Sequence, residues 1–384
     1  MPETPKLPTM RVPRYLAALA SLALVLACGD GGDGSGTGTA GTLDGPDVIV
    51  SAVTEEVFTV GSVVGDDWDT FGSVRSVHFD ARANLHIFDS QADHILAVGP
   101  DGSLVRTVGG KGEGPGEFGN VMATFVARDG SYTVAGFSQV DLIDPGGEFI
   151  RRITVDPMTT GIVMADMALP DGRLVADQII RFGDDDEFTV NGSSSEGSVV
   201  RMAAGRAFEP RLDYDALADG RLALIDSIGY RVKLIGLDGS VTGTIERPIA
   251  PLPIDEEIKE AERERFRKAQ EESADAVSRT SPSLRIEREG VEERTFADEV
   301  PVLYRLKVDW EDRIWVQRRG PTGDDNGPTD IVTPDGSYIG TLPPDGLRTP
   351  DAFGPGGLMA YIETDELDVQ TVRVVRLIAL EPQG

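Results

Sequence analysis

The side chains that could carry chemistry in this chain are few and unevenly placed. All three histidines, His78, His86 and His94, fall in one short stretch and are spaced by eight. Around a turn at Arg82-Ala83-Asn84, the register that pairs Phe79 with Leu85 sets His78 opposite His86. Cross-strand neighbours on one face can share a metal, and neutral imidazole is a common zinc or copper ligand. No third ligand stands at metal spacing, so packing roles are expected for all three. A glycine-rich run at residues 109–118 invites comparison with phosphate loops, yet no Gly-Lys-Ser/Thr opens a helix after it. A crossover needing tight turns accounts for its glycines, and Lys111, Glu113, Glu117 and Phe118 are the side chains it offers for binding. Acids at or near the ends of strand-like runs form a weak series: Asp89, Asp177, Asp226 and Glu363. A ring of carboxylates holds a hard cation such as Ca²⁺ through six to eight oxygens, so these four are the metal candidates. Calcium is the one cofactor they suggest; otherwise none is expected. No Ser-His-Asp set can be assembled, because the histidines sit together and no Gly-x-Ser-x-Gly elbow occurs.

The elements that must position these groups are written in a recurring turn mark. Ala83-Asn84, Asp129-Gly130, Asp171-Gly172, Asp219-Gly220, Glu311-Asp312 and Gly356-Gly357 form one series, at steps of about 42 to 48 residues with one step doubled. Asp101-Gly102, Gly146-Gly147, Glu196-Gly197, Asp238-Gly239 and Asp335-Gly336 form a second, offset series. Such pairs favour the positive φ angles of hairpin tips. Two hairpins per repeat, with alternating apolar runs between them, predict four-stranded propeller blades. Six marks in the first series predict an all-β, six-bladed β-propeller. The acid series would then lie on the face where second strands end, around the mouth of the central channel.

The first repeat is the most regular. It reads Phe79-Asp80, Asn84-Leu85-His86-Ile87-Phe88-Asp89-Ser90, His94-Ile95, Asp101-Gly102, then Gly109-Gly110-Lys111-Gly112-Glu113-Gly114-Pro115-Gly116-Glu117-Phe118. Over residues 73–119 it resembles the NHL-repeat propellers. That resemblance implies a structural role for the blade-one Asp, and an aromatic or polar residue and a basic residue at the places of His86 and His94. Beyond this blade the turn spacing persists and the side-chain consensus fades. The gluconolactonase and paraoxonase propellers place a divalent metal in the central channel for lactone hydrolysis. Their metal-binding Glu and paired Asn positions have no counterpart here.

The last blade shows three strands before residue 384. The apolar residues Val57, Phe58, Val60 and Val63 mark residues 55–63 as a strand-like run with no blade of its own. Pairing it outside the C-terminal strand would complete the last blade and remove an exposed edge. Residues 251–300 fill the doubled step and do not read as a blade. Pro253, Asp255, Glu256 and Glu257 set up a helix start, and residues 258–272 are rich in Glu, Arg and Lys with a narrow apolar stripe. A solvated helical insertion between blades 4 and 5 is expected.

The N-terminus reads as a targeting segment. Lys6, Arg11 and Arg14 precede an uninterrupted apolar run, residues 16–27, which is short for a bilayer span and suits a signal peptide. It ends in Val25-Leu26-Ala27-Cys28, which resembles the bacterial lipobox and implies acylation of Cys28, the single cysteine of the chain. A glycine-rich stretch follows. The expected organisation is therefore a signal peptide (1–27), a tether (28–47) and a propeller (48–384). The formal charge is −29, from 65 acids against 36 bases, and that field disfavours nucleic-acid binding. Together these features predict a monomeric, lipid-anchored envelope protein, periplasmic or facing the outer membrane. Its propeller face would recognise a protein, peptide or glycan, with binding favoured over catalysis. The alternative is a divalent-metal-dependent hydrolase of the lactonase or esterase type.

Overall fold

The structure is a computed structural model. It describes residues 39–383 apart from 63–65, 113, 155, 157–161, 166, 169–173, 176–177, 183–187, 193–199, 202–205, 281–290 and 292–293. The predicted signal peptide, Cys28, Glu113, Asp177 and the turn marks at 171–172 and 196–197 lie outside the described residues.

The turn marks do what their composition requires. Ala83 and Asp312 take φ of 63° and 60°, and Gly102, Gly130, Gly147, Gly220, Gly239 and Gly336 lie between 79° and 91°. Each closes a hairpin, so strands follow one another antiparallel. The first sheet runs Val74–Phe79, Leu85–Asp89, His94–Val98 and Leu104–Gly109. The second runs Val121–Val126, Tyr132–Gly136, Gln139–Ile143 and Phe149–Thr154. The fourth spans Asp213–Ala216 to Val241–Glu246, and the fifth Leu303–Val308 to Tyr338–Leu342. The closing sheet contains Ala352–Phe353, Leu358–Thr364 and Gln370–Pro382. Its fourth strand is Val50–Val60, paired antiparallel outside Gln370–Pro382. The N-terminal closure expected at residues 55–63 is thus present, shifted towards the N-terminus to Val50–Val60.

The fold is an all-β propeller, but five blades are counted where the turn series predicts six. The third sheet is less regular than the rest and is split. Ile162–Met164 pairs with Gln178–Phe182, which continues to Phe188–Gly192 and Val200–Arg201, while Met167–Ala168 and Leu174–Val175 form a separate two-stranded piece. The side-chain consensus of the NHL-type repeats is likewise not carried around the ring.

Apolar residues gather between neighbouring sheets. Val232, Leu234, Ile245, Leu306 and Val316 fill the space between the fourth and fifth sheets. Phe79, Leu85, Ile87, Val372 and Val374 do so between the closing and first sheets. This is sheet-on-sheet packing, with alternate side chains of each strand turned to one neighbour. Helix α1, Glu256–Thr280, lies in sequence between the fourth and fifth sheets. Asp255 caps it by accepting from the Ile258 N–H at 2.9 Å. Its N-terminal half is docked: Ile258 is buried with Ala207, Phe208, Ala297 and Val300 in a small satellite core, and Arg265 donates to the Thr322 carbonyl oxygen at 3.1 Å.

Part of the stretch read as a tether is structured. Thr39–Thr42 adds a parallel fifth strand to Val241–Glu246, and Ile49 bridges to Thr341. Residues 39–60 therefore run as a strap along the outer strands of the fourth, fifth and closing sheets. A buried network locks it. The guanidinium of Arg247 donates to Asp330 and to Asp47, both at 2.8 Å, and Arg318 donates to Asp47 at 2.6 Å. The hydroxyl of Thr341 donates to Asp330 at 2.5 Å. Burial works to raise the Asp47 carboxyl, but hydrogen bonds and charge from Arg318 and Arg247 outweigh it and hold the group below the usual carboxylate range.

Candidate functional site: the central channel

The innermost strands of the sheets surround a cavity of about 460 Å³. Its wall includes His78, Arg128, Asp213, Asp215, Arg305, Lys307, Trp310 and Asp351, with Phe79, Phe125 and Phe353 supplying apolar surface. A second cavity of about 420 Å³ shares His78, Lys307 and Asp351 and is lined also by Arg75, Ser76 and Thr124. Both are polar inside because inner strands alternate. In Arg305-Leu306-Lys307 and Asp213-Tyr214-Asp215 the charged residues recur with period two, the period that puts them on one side of a strand. Leu306, between its two cations, is buried in the inter-sheet core.

Polar groups tie the inner strands to one another. The carboxylate of Asp213 accepts from the Leu306 N–H at 2.6 Å, and that of Asp215 from the Val308 N–H at 2.8 Å. Burial raises both carboxyls above their ordinary value despite these bonds. Between the first and second sheets, Ser76 and Thr124 hydroxyls meet at 2.8 Å, and His78 Nε2 lies 2.9 Å from the Thr124 carbonyl oxygen. A carbonyl can only accept, so Nε2 carries the proton and Nδ1 keeps its lone pair. Desolvation in the channel wall is the main reason that the His78 pKa falls to about 4; the Thr124 bond opposes it, and the charges of His86 and Lys307 add to it. His78 is a neutral imidazole near pH 7.

At one end of the cavity, the Arg128 guanidinium lies 4.5 Å from the centre of the Trp310 ring, a cation–π contact. Trp310 Nε1 is fixed by donating to the Phe353 carbonyl oxygen at 2.8 Å. The contact joins turns of the second and fifth sheets and narrows that end of the channel.

The residues singled out by sequence have other employment. His78 and His86 are opposite one another, as the register required, but they do not converge on a common ion. His86 Nε2 is 3.3 Å from Asp80 and its ring packs edge-on against Tyr132. In the fifth sheet Trp315 donates to Asp309 at 2.9 Å from the equivalent place, so His86 fills a structural position. His94 pairs with Asp89 and Gly109 in the ladder. Of the four acids proposed for a metal, Asp89 accepts from the N–H groups of Gly72, Ser73 and Gln91. Asp226 pairs with Lys233 at 2.6 Å and Glu363 with Arg373 at 2.7 Å. Among the described residues, no group of three or more His, Cys, Asp or Glu is placed to hold a metal ion. In the glycine-rich run, Phe118 is buried in the core between the first and second sheets, and Glu117 accepts from the Gly114 N–H at 2.8 Å. Lys111 bridges to Phe118 through the backbone. These three residues shape a crossover.

No family model and no curated protein matches the chain. It is similar to solved structures at low identity. A Bacteroides vulgatus member of the duf4221 family is 12% identical, with 88% of this chain and all of that one covered at a TM-score of 0.47. A Bacteroides fragilis protein described as exported is 12% identical over 88% of this chain and 99% of its own, at 0.45. Virginiamycin B lyase from Staphylococcus aureus is 11% identical over 84% and 99%, at 0.39. The propeller is defined by this chain's own sheets. No helix among the described residues is long and apolar enough to cross a membrane.

Proposed function

We propose that this chain is a lipid-anchored extracytoplasmic propeller that works by non-covalent recognition, with its central channel as the binding site. The observation that carries the reading is the channel wall itself. Concave surface, aromatic side chains and a few fixed polar groups converge there, as in small-ligand sites. Envelope placement follows from the apolar run at 16–27 and the lipobox-like Cys28. The strap gives the anchor a defined exit, since residue 39 lies on the outer strand of the fourth sheet. Helix α1 is an insertion in this scheme, docked through its N-terminal half.

The rival is a metal-dependent hydrolase. It is less favoured because Asp89, Asp226 and Glu363 are each held by a local partner instead of being turned to a common point. Ligand-observed NMR with a small-molecule library, run on the full chain and on Ala123→Trp, tests the binding reading. Ala123 lines the channel, and an indole there would occupy it. Hits lost in the variant are expected. Hits that survive unchanged would move recognition away from the channel.

A further inference from the structure

In this acidic chain, arginines commonly meet a carboxylate: Arg152 with Asp141, Arg231 with Glu246, Arg373 with Glu363. The channel is different. Among the described residues, Arg75, Arg128 and Arg305 line its cavities without a carboxylate partner. Arg128 rests on the Trp310 ring and Arg305 lies 5.5 Å from the Tyr304 ring centre. Lys307 donates to a neutral group, the Asp351 carbonyl oxygen, at 2.7 Å. These cations are thus positioned by uncharged partners and make no direct ion pair, although the charges of Arg305 and Lys307 are felt by Asp213 across the wall.

The carboxylates of the same wall are engaged by protein groups, and burial raises Asp213 and Asp215 above the usual carboxylate range. Asp213 and Asp215 accept from backbone N–H groups of the fifth sheet's inner strand. Asp351 accepts from the Ile362 N–H at 2.8 Å and from Arg348 at 3.2 Å. A cationic ligand would meet carboxylates whose charged form burial already disfavours, whereas an anionic one would pair with guanidinium groups that have no carboxylate within ion-pair distance among the described residues. Apolar wall is supplied nearby by Phe125, Phe353 and Trp310. Arginine's planar fork suits a carboxylate through two parallel bonds.

Resting on the channel as the binding site, we propose that its ligand is a small amphipathic anion: a carboxylate on an aromatic or apolar body, with Arg305 as its main charge partner. The body lies against Trp310 and Phe353. The lone pair of His78 Nδ1 accepts from a hydroxyl or amide of the ligand where one is present.

Equilibrium dialysis of the full chain against three matched probes, 2-naphthoate, 2-naphthamide and 2-naphthylmethylammonium, tests this. Naphthoate binds saturably and about tenfold or more tighter than the amide, and the ammonium is weakest. Arg305 is exposed at the cavity wall, so its substitution is compatible with folding. Arg305→Gln weakens naphthoate about tenfold and leaves the amide unchanged, while Arg305→Lys recovers part of the loss. Equal affinity for acid and amide, indifference of naphthoate to Arg305→Gln, or no saturable binding would overturn the inference. Probes that bind without charge preference, yet are lost in Ala123→Trp, would end this inference and leave channel recognition standing.

Discussion

Replacing Asp330 by alanine should be among the most damaging single changes in the protein. Asp330 is fully buried and is bonded to Arg247 and Thr341, with Arg318 at 3.3 Å. Truncation leaves the Arg247 guanidinium, whose side chain is 2% exposed, with Asp47 as its remaining carboxylate. Breaking a buried pair by removing one partner costs about 3–5 kcal/mol. Because Asp47 persists, the lower end applies, about 3 kcal/mol. An unfolding entropy of about 2.1 cal/mol/K per residue over roughly 345 residues gives about 0.7 kcal/mol/K, so Tm should fall by about 4 °C. Differential scanning calorimetry on the full chain reads this directly. Asp226→Ala is the control: its partner Lys233 is part-exposed, and such pairs contribute about 0–1 kcal/mol. A Tm change under about 1 °C for Asp330→Ala, or one no larger than the control's, would refute the buried-network account of the strap.

The strap itself is tested by deleting residues 39–60, which leaves Gln370–Pro382 as a bare edge. Loss of cooperative melting or aggregation is expected by light scattering, and an unchanged melting curve would contradict closure. Gly109→Ala should cost more than Gly110→Ala in a denaturant titration. Both glycines have positive φ, but a Cβ on Gly109 would come 2.4 Å from the Phe118 ring and one on Gly110 meets nothing within 4 Å. His78 titrates at about 4 folded against 6.5 unfolded. The unfolded chain therefore binds more protons between those values, and stability should fall as pH drops from about 6.5 towards 4; His78→Gln should flatten that slope in thermal melts. Cys28→Ser should abolish lipid anchoring, seen as loss of detergent-phase partitioning. Retention there would remove the anchor from the account.

What was legible in the sequence follows from how local each signal is. A hairpin tip is set by two or three residues, so Ala83, Gly130 and Asp312 mark their turns unaided. The closing strand was legible because the apolar, β-prone residues Val57, Phe58 and Val60 form a short run that no blade claimed. The split of the third sheet was not: the Asp171-Gly172 mark falls between Met167–Ala168 and Leu174–Val175, but nothing local shows that Ile162–Met164 pairs past that hairpin with Gln178–Phe182. The acid series meets a related limit. A position at a strand end fixes height on the propeller, not the direction of a side chain, and Lys233 and Arg373 were near enough to take Asp226 and Glu363. The channel groups did leave a trace: charged residues with period two in Asp213-Tyr214-Asp215 and Arg305-Leu306-Lys307. On an inner strand that pattern means a polar side facing the axis. The Arg128–Trp310 contact left none, because it joins turns of sheets distant in sequence.

Hydrogen exchange with and without the tightest-binding probe is the most direct measurement of where recognition occurs. Channel binding predicts new protection in peptides covering residues 74–79, 121–126 and 303–308, the inner strands that line the cavity. Protection confined to helix α1 or to the outer strands, with those three peptides unchanged, would contradict it.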